Sequence, residues 1–396
     1  MKKKDITLIY SLQQFSYWAA IGGFISFAAS YLLGKGYSAA QIGWILFAGN
    51  IFSFLLQPVA ASYADKAKTN VLLKLTFFLA LISVLCFSAV RFLPLPRFLF
   101  TALYIAGAFF SDMEIPLQNS IISFYTAHSY SVNYGLGRAM GSIGFAIATL
   151  IYGRMIETMG ADSMILVSLI MMLIFIGLVF FYPHEEKENA GSGANGSEET
   201  SSLFEFFGKY KWYTISLFGT LCLALFHIMV ENYLIEIVTP FGGDNSTVGV
   251  ALFIATVVET VTMLLIPGIR QKIGSYKVFL IAGISYAAKA VLFATAHSVT
   301  QLYIAQLLQA TSYTFLSGVQ MYYAQECTNA SDMVKGQSMI TAFYTLGCAL
   351  GNLLGGNLIT SFGLPVMLYF GIAITVIGLL ILMITVPKSI IRKTSD

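Results

Sequence analysis

Seven ionisable side chains lie in stretches that are otherwise apolar enough to dissolve in lipid. They are Asp112, Glu114, Arg138, Glu231, Glu236, Glu259 and Lys289. An ionised side chain at the centre of a membrane helix costs roughly 2.5–3.5 kcal/mol on insertion scales, so each should face a partner or a water-filled cavity. Glu236 lies near the end of its stretch, where water can solvate it. The other six are candidates for binding or proton chemistry.

Arginine and the carboxylates suit different roles. The guanidinium of Arg138, in "YGLGRAMGSIGF", has five donors that can hold two hydroxyls or a carboxylate, and it stays charged. A carboxyl that is partly shielded from water can load and release a proton in each cycle. We therefore expect Arg138 to recognise a polar ligand and one acid to carry a proton. The candidate acids are Glu259, Glu231, Asp112 and Glu114, of which the last two cannot share a helical face.

Composition predicts the class of protein that holds these residues. Of 396 residues 57% are hydrophobic and only 10% are charged, whereas soluble domains carry about 25% charged residues. Apolar runs of about twenty residues can each cross roughly 30 Å of hydrocarbon as a helix. The sequence thus predicts an all-α polytopic membrane protein with twelve transmembrane helices. The expected spans are Ile6–Leu33, Ala40–Ala61, Val71–Val90, Phe98–Phe124, Gly137–Ile156, Ser163–Tyr182, Tyr213–Val238, Val248–Pro267, Tyr276–Ala296, Leu302–Gln325, Gln337–Phe362 and Leu364–Val386.

One polar stretch divides the chain into halves. "HEEKENAGSGANGSEETSS", His184–Ser202, is too polar to bury a core and is expected to be a linker. We expect a six-helix bundle over 1–183, a cytoplasmic linker over 184–211 and a second bundle over 212–396. Such six-plus-six pseudo-symmetry is typical of secondary transporters with a site near the bilayer midplane. The excess of Lys and Arg on one side predicts a cell-membrane protein with both termini cytoplasmic.

Three stretches resemble the major facilitator superfamily. They are "QIGWILFAGNIFSFLLQPVAASYADKAKTNVLLK", "YGLGRAMGSIGF" and "MLLIPGIRQKIGSYKVFLIAG". Within the superfamily the chain is similar to the lactose, phenylpropionate and nucleoside permease branch. The resemblance implies transport by two rocking bundles. It also implies a gating latch between helices at Asp65, with Lys66 and Lys68 beside it.

The resemblance also implies roles for individual site residues. Arg138 matches an arginine that holds sugar hydroxyls, and Phe145 falls where the lactose permease carries a stacking tryptophan. The carboxylate partner of that arginine would fall near Asn119, so the pair is lost unless Asp112 or Glu114 replaces it. Glu231 matches a span-seven acid, Lys289 matches a span-nine arginine, and Glu259 resembles a glutamate of the phenylpropionate-type relatives.

Span ten departs from the lactose permease. Where that protein has its coupling histidine and glutamate, this chain has Gln309 and Ser312, and neither can carry a proton at physiological pH. Symport through that relay is therefore excluded. Gln309 and Asn232 are expected to contribute neutral hydrogen bonds to the substrate instead.

The function expected from these observations is proton-coupled import of a small polar metabolite such as a sugar, nucleoside or aromatic acid. Efflux of amphipathic cations by antiport and uniport without ion coupling remain open. The chain shows no phosphate-loop, Ser-His-Asp or metal-ligand pattern, so we expect no enzyme activity, cofactor or metal. Its partners should be the substrate, a proton and the lipid bilayer, with no nucleic acid, and the protein should be a monomer.

Overall fold

A computed structural model describes residues 5–66, 69–183, 203–329 and 332–393. These ranges are helical and contain no β-strand, only a single bridge between Asp5 and Ser131. The first series of helices is α1 (Thr7–Ile21), a π-helical turn (Gly22–Ser26), α2 (Ala28–Gly34), α3 (Ala39–Lys66), α4 (Thr69–Phe92), α5 (Arg97–Asp112), α6 (Glu114–Ala127), α7 (Tyr134–Met159) and α8 (Ala161–Val179). The prediction of an all-α chain is confirmed.

The second series follows the stretch that was expected to be a linker, most of which lies outside the described residues. It is α9 (Leu203–Lys209), α10 (Lys211–Asn232), α11 (Leu234–Val238), a 3-10 turn (Thr239–Phe241), α12 (Asn245–Ala294), α13 (Val299–Leu307), a 3-10 turn (Leu308–Ala310), α14 (Tyr313–Cys327), α15 (Met333–Phe362) and α16 (Leu364–Lys393). By internal packing the chain forms two compact units: Met1–Glu186 with Glu231–Val257, and Lys187–Val230 with Val258–Asp396.

Nine helices in the described ranges are long and apolar enough to cross a membrane. A tenth is the first segment, a pair of helices bent by 46° where Thr7–Ser26 meets α2. Helix α12 has 50 residues, which is about 75 Å and more than twice the hydrocarbon thickness. Gly274 divides it, with φ 82° and ψ 156°, at the boundary between the predicted eighth and ninth spans.

The predicted tenth span, Leu302–Gln325, is broken. It consists of α13, the 3-10 turn Leu308–Ala310 and α14. Ser312 closes the break, since its backbone N–H and its hydroxyl both donate to the Leu308 carbonyl, at 2.8 and 2.7 Å. Buried helix ends require such partners for their carbonyls. Nothing in the apolar pattern indicated this interruption.

The predicted gating residues lie at the end of α3. Asp65 and Lys66 are its last two residues, and Lys68 falls outside the described ranges. Their role as a latch stays a prediction.

In the second unit, the segment at α9 is hydrogen-bonded to the residue that precedes α15. The buried carboxylate of Asp332 accepts hydrogen bonds from Lys209 Nζ and Tyr210 Oη, both at 3.0 Å. The hydrogen bond to Asp332 raises the pKa of Lys209 above its ordinary value.

In the first unit, glycines on α7 allow α1 to approach very closely. A Cβ on Gly141 would lie 2.6 Å from Trp18 Cδ1, and one on Gly144 would lie 3.0 Å from Phe15 Cα and would also strike the Phe15 carbonyl oxygen. Small residues at such crossings are what lets two membrane helices pack backbone to backbone. This crossing places Trp18 of α1 directly beside α7.

We expect Gly144→Ala to destabilise the protein by about 1–3 kcal/mol, because the added methyl group must displace the α1 backbone. The measurement is the melting temperature and free energy of unfolding of the purified protein in detergent. Gly177→Ala is the matched control, since Gly177 lies inside α8 with no atom within 4 Å of its ideal Cβ. The control should be neutral or slightly stabilising. Equal stability of both variants would contradict the close-packing interpretation.

Candidate functional site

Arg138 lies on the face of α7 that is opposite its exposed aliphatic stripe. Ile143, Ile147 and Ile151 form that stripe and are 42%, 44% and 47% exposed. At about 100° per residue, Arg138 points about 180° away from Ile147 and about 20° from Phe145. The side chain of Arg138 is itself exposed. Its guanidinium is therefore directed away from the face that suits lipid.

Gln14 and Trp18 contact this guanidinium, and Gln118 is hydrogen-bonded to Gln14. Together with Arg138 these residues form what we call the Arg138 cluster. The Gln14 Oε1 atom accepts hydrogen bonds from Trp18 Nε1 at 3.1 Å and from Arg138 Nη1 at 3.4 Å. Gln14 Nε2 donates to Gln118 Oε1 at 2.6 Å. The Arg138 guanidinium carbon lies 5.1 Å from the Trp18 ring, within the range of a cation–π contact.

Gln14, Trp18 and Gln118 were missed by sequence reasoning, although a signal was present. Gln14 and Trp18 are four residues apart in the apolar segment "SLQQFSYWAA", so they share a helical face. Both amides are 3% exposed, and a buried amide needs a hydrogen-bonding partner. Two amides in apolar spans therefore predict a polar or charged partner nearby.

Phe145 and Asn119 were also expected to bind substrate, and their roles stay predictions. Phe145 is half-buried, with a ring atom 3.7 Å from the ideal Cβ position of Gly22. Asn119 is exposed, while its neighbour Gln118 faces inward. In this arrangement Trp18, from α1, supplies the aromatic surface beside the guanidinium.

Asp112 and Glu114 lie on either side of Met113, where α5 gives way to α6. Asp112 Oδ2 accepts a hydrogen bond from Ser53 Oγ at 3.2 Å. Glu114 is fully buried, and neither of its oxygens has a hydrogen-bonding partner among the described residues. Such a site holds a neutral carboxylic acid at a far lower free-energy cost than a carboxylate.

In the second unit, Lys289 and Gln309 form a buried polar pair. Lys289 Nζ donates to Gln309 Oε1 at 2.7 Å, and the two residues are 1% and 3% exposed. Gln309 belongs to the 3-10 turn that interrupts the tenth segment. The break therefore presents an amide to an ammonium group inside the unit, as a buried charge requires.

Aromatic side chains lie next to this pair. The buried imidazole of His227 stacks on Tyr313, with 4.7 Å between ring centroids and 8° between planes, and Tyr286 meets it edge-on at 6.2 Å. Tyr286 is one helical turn before Lys289 on α12, so the two side chains share a face. The second unit thus combines a cation, an amide and planar rings.

The remaining candidates lie on inward faces or near helix ends. Glu231 is half-buried and Asn232 is buried, both at the end of α10. Glu259 is half-buried on α12, about 160° from the exposed Val261 and about 20° from the buried Ile266. No group of three or more His, Cys, Asp or Glu side chains in the described part of the chain could hold a metal ion.

Comparison with known proteins agrees with this architecture. Residues 7–380 match the model of the MFS_1 like family. A maltose permease of Geobacillus stearothermophilus is 24% identical over 389 residues, covering 96% of this chain and 94% of the relative. An uncharacterized transporter, YwbF, of Bacillus subtilis (strain 168) is 23% identical over 358 residues, covering 87% and 86%.

Solved structures show the same fold. A crystal structure of the nucleoside transporter NupG superposes with a TM-score of 0.78 at 15% identity, covering 99% of both chains. A bacterial homolog of the human lysosomal transporter Spinster gives 0.65 at 14% identity, covering 98% of this chain and 96% of the other. With the family model matched over nearly its whole length and the fold shared with these transporters, the chain belongs to the MFS_1 like family and is a multi-pass membrane transporter of the major facilitator superfamily.

Proposed function

We propose that the protein is a cell-membrane transporter that imports a small polar metabolite, such as a sugar, nucleoside or aromatic acid, together with a proton. The observation that carries the proposal is the Arg138 cluster on the non-lipid face of α7. It joins a permanent cation, two amides and an indole ring. These groups can hold the hydroxyls or carboxylate of a cargo and contact the flat face of its ring.

The relatives support a polar cargo. One sequence relative is named a maltose permease, and one structural neighbour is a nucleoside transporter. Both names specify hydroxyl-rich molecules. The second unit offers compatible chemistry through Lys289 and Gln309. We assign these two residues, with Asn232, to substrate contact as well.

For the proton we favour Glu259. Its side chain is half-buried on α12, about 160° around the helix from the exposed Val261. By the resemblance to the lactose permease, Gln309 and Ser312 replace its titratable relay, so we place the coupling acid elsewhere. Glu231, Asp112 and Glu114 are the other acids that could carry the proton.

The transport cycle that we propose is alternating access by two bundles, 1–183 and 212–396, joined by a cytoplasmic linker over 184–211. Both termini would lie in the cytoplasm, and Asp65, Lys66 and Lys68 would form a latch that favours one state. We propose that the monomer is the functional unit.

Uptake into proteoliposomes tests the assignment. With maltose, uridine and 3-phenylpropionate as labelled probes, an inward proton gradient should accelerate uptake of at least one, and a protonophore should abolish the effect. Arg138→Ala should lower uptake more than tenfold, because it removes the donor fork. Glu259→Gln should retain exchange of substrate across the membrane but lose accumulation driven by the gradient.

Two matched controls accompany these variants. Arg154→Ala removes an exposed arginine from the same helix, and Glu205→Gln removes an exposed acid from α9. Both should transport like the wild type. Equal uptake by Arg138→Ala, Glu259→Gln and wild type would remove the site assignment, and indifference to the gradient would indicate a uniporter.

A double-mutant cycle tests the Lys289–Gln309 pair. A buried hydrogen bond to a charged group contributes about 1.5–3 kcal/mol, so Lys289→Met and Gln309→Leu should show a coupling energy of that size in the free energy of unfolding. The control cycle uses Lys35→Met and Asp162→Leu, an exposed salt bridge of 2.9 Å. That pair should couple by less than about 1 kcal/mol. Additive effects at Lys289 and Gln309 would contradict the pairing.

A further inference from the structure

We infer that the substrate is an anion, whose carboxylate binds the guanidinium of Arg138. This inference rests on the proposed function and names its substrate class. A neutral sugar or nucleoside would satisfy some of the donors of Arg138 but would leave its charge uncompensated.

The first observation is that Arg138 has no carboxylate partner within the described ranges. Ion pairs such as Lys35–Asp162, Lys209–Asp332 and Arg270–Glu326 lie there, and none of these involves Arg138. The contacts of the Arg138 side chain are one hydrogen bond to an amide oxygen, Gln14 Oε1 at 3.4 Å, and the face of the Trp18 ring. A guanidinium has five N–H donors, so one hydrogen bond leaves capacity for a ligand.

The second observation is the position of the acids that could have paired with it. Asp112 accepts a hydrogen bond from Ser53, and the carboxyl of Glu114 is fully buried. At the position where the resemblance implies a carboxylate for this arginine, the chain has Asn119, an exposed amide. None of these residues provides an ion-pair partner for Arg138 within the described ranges, so a ligand can provide one.

The third observation is the geometry around the guanidinium. Trp18 covers one face of the plane, and Gln14 accepts a hydrogen bond at one nitrogen. Gln14 is itself held by Gln118 and by the Trp18 indole N–H. The amide thus orients the fork without neutralising it. The rest of the edge can form the paired N–H···O bonds that arginine makes with a carboxylate.

A countercharge for Arg138 matters most during alternating access. When the carrier passes between its two open states, the site must lose most of its contact with bulk water. Dehydrating an unpaired guanidinium is costly, whereas an ion pair with good hydrogen bonds lowers that cost. A carboxylate substrate would supply the missing charge at the step where the protein needs it, so the loaded carrier would reorient more readily than the empty one.

The sharpest test is Gln14→Glu, which replaces the amide by a carboxylate of nearly the same shape beside Arg138. An internal ion pair should then form, and affinity for anions should fall at least tenfold. The matched control is Gln41→Glu, because Gln41 Oε1 also accepts from an arginine, Arg97 at 2.8 Å, but at an exposed position. The control should bind every probe like the wild type.

The probes are matched pairs that differ in charge: glucuronate with methyl glucoside, and 3-phenylpropionate with 3-phenylpropanamide. Binding to the purified full-length protein is measured by calorimetry at pH 7. We expect at least one acid to bind ten times more tightly than its neutral partner. Arg138→Lys should keep part of this preference and Arg138→Gln should lose it. Melting temperatures identify any variant that fails to fold, and the remaining variants still decide the result.

Several results would overturn the inference. The wild type could bind the neutral partners as tightly as the acids, or it could bind no acid. Gln14→Glu could also show the same preference for acids as the wild type. Gradient-driven uptake of maltose or uridine with no binding of either acid would contradict the anion site but support the proposed transport function. Tight binding of an acid without gradient-driven uptake of any probe would support the anion site but contradict proton-coupled transport.

Discussion

The free-energy cost of dehydrating charged and polar groups determines where such groups can lie in this chain. Arg138 is exposed, but on the side of α7 away from the isoleucine stripe. Lys289 is buried, and it meets the amide oxygen of Gln309 at 2.7 Å. Glu114 is buried without a partner among the described residues, in a place where the neutral acid is far less costly than the anion. The first arrangement leaves a cation accessible, the second pairs a cation with an amide inside the protein, and the third favours an uncharged acid.

Close helix packing is what brings the polar partners together. The glycines of α7 let α1 approach until Trp18 and Phe15 touch the α7 backbone. In the second unit, Gly347 and Gly351 of α15 do the same against α10, where added Cβ atoms would strike the carbonyls of Leu221 and Leu225. Since hydrocarbon provides no hydrophobic force between helices, such contacts must provide much of the cohesion. The crossing of α1 and α7 also brings Gln14 within hydrogen-bonding distance of Arg138.

Much of this architecture follows from composition and periodicity. The apolar runs predicted an all-α membrane protein, and the charges within those runs identified Arg138 and Lys289 as candidate site residues. The partners of those charges did not follow, because Gln14 and Gln309 are joined to them only by packing between segments distant in sequence. Apolar periodicity also reports nothing about a local loss of helical hydrogen bonds, so the breaks at Phe27 and at Leu308–Ala310 could not be foreseen.

Three of the helix breaks coincide with candidate site residues. Met113 separates Asp112 from Glu114, Tyr233 follows Glu231 and Asn232, and the turn Leu308–Ala310 contains Gln309. A break leaves backbone carbonyls and N–H groups that lipid cannot satisfy, so it is tolerated only within protein or beside water. A polar side chain faces the same restriction. Both therefore gather in the few regions shielded from hydrocarbon, and in transporters such discontinuous helices commonly border the binding site. An interrupted helix and a buried polar residue at one place are stronger evidence for a site than either alone.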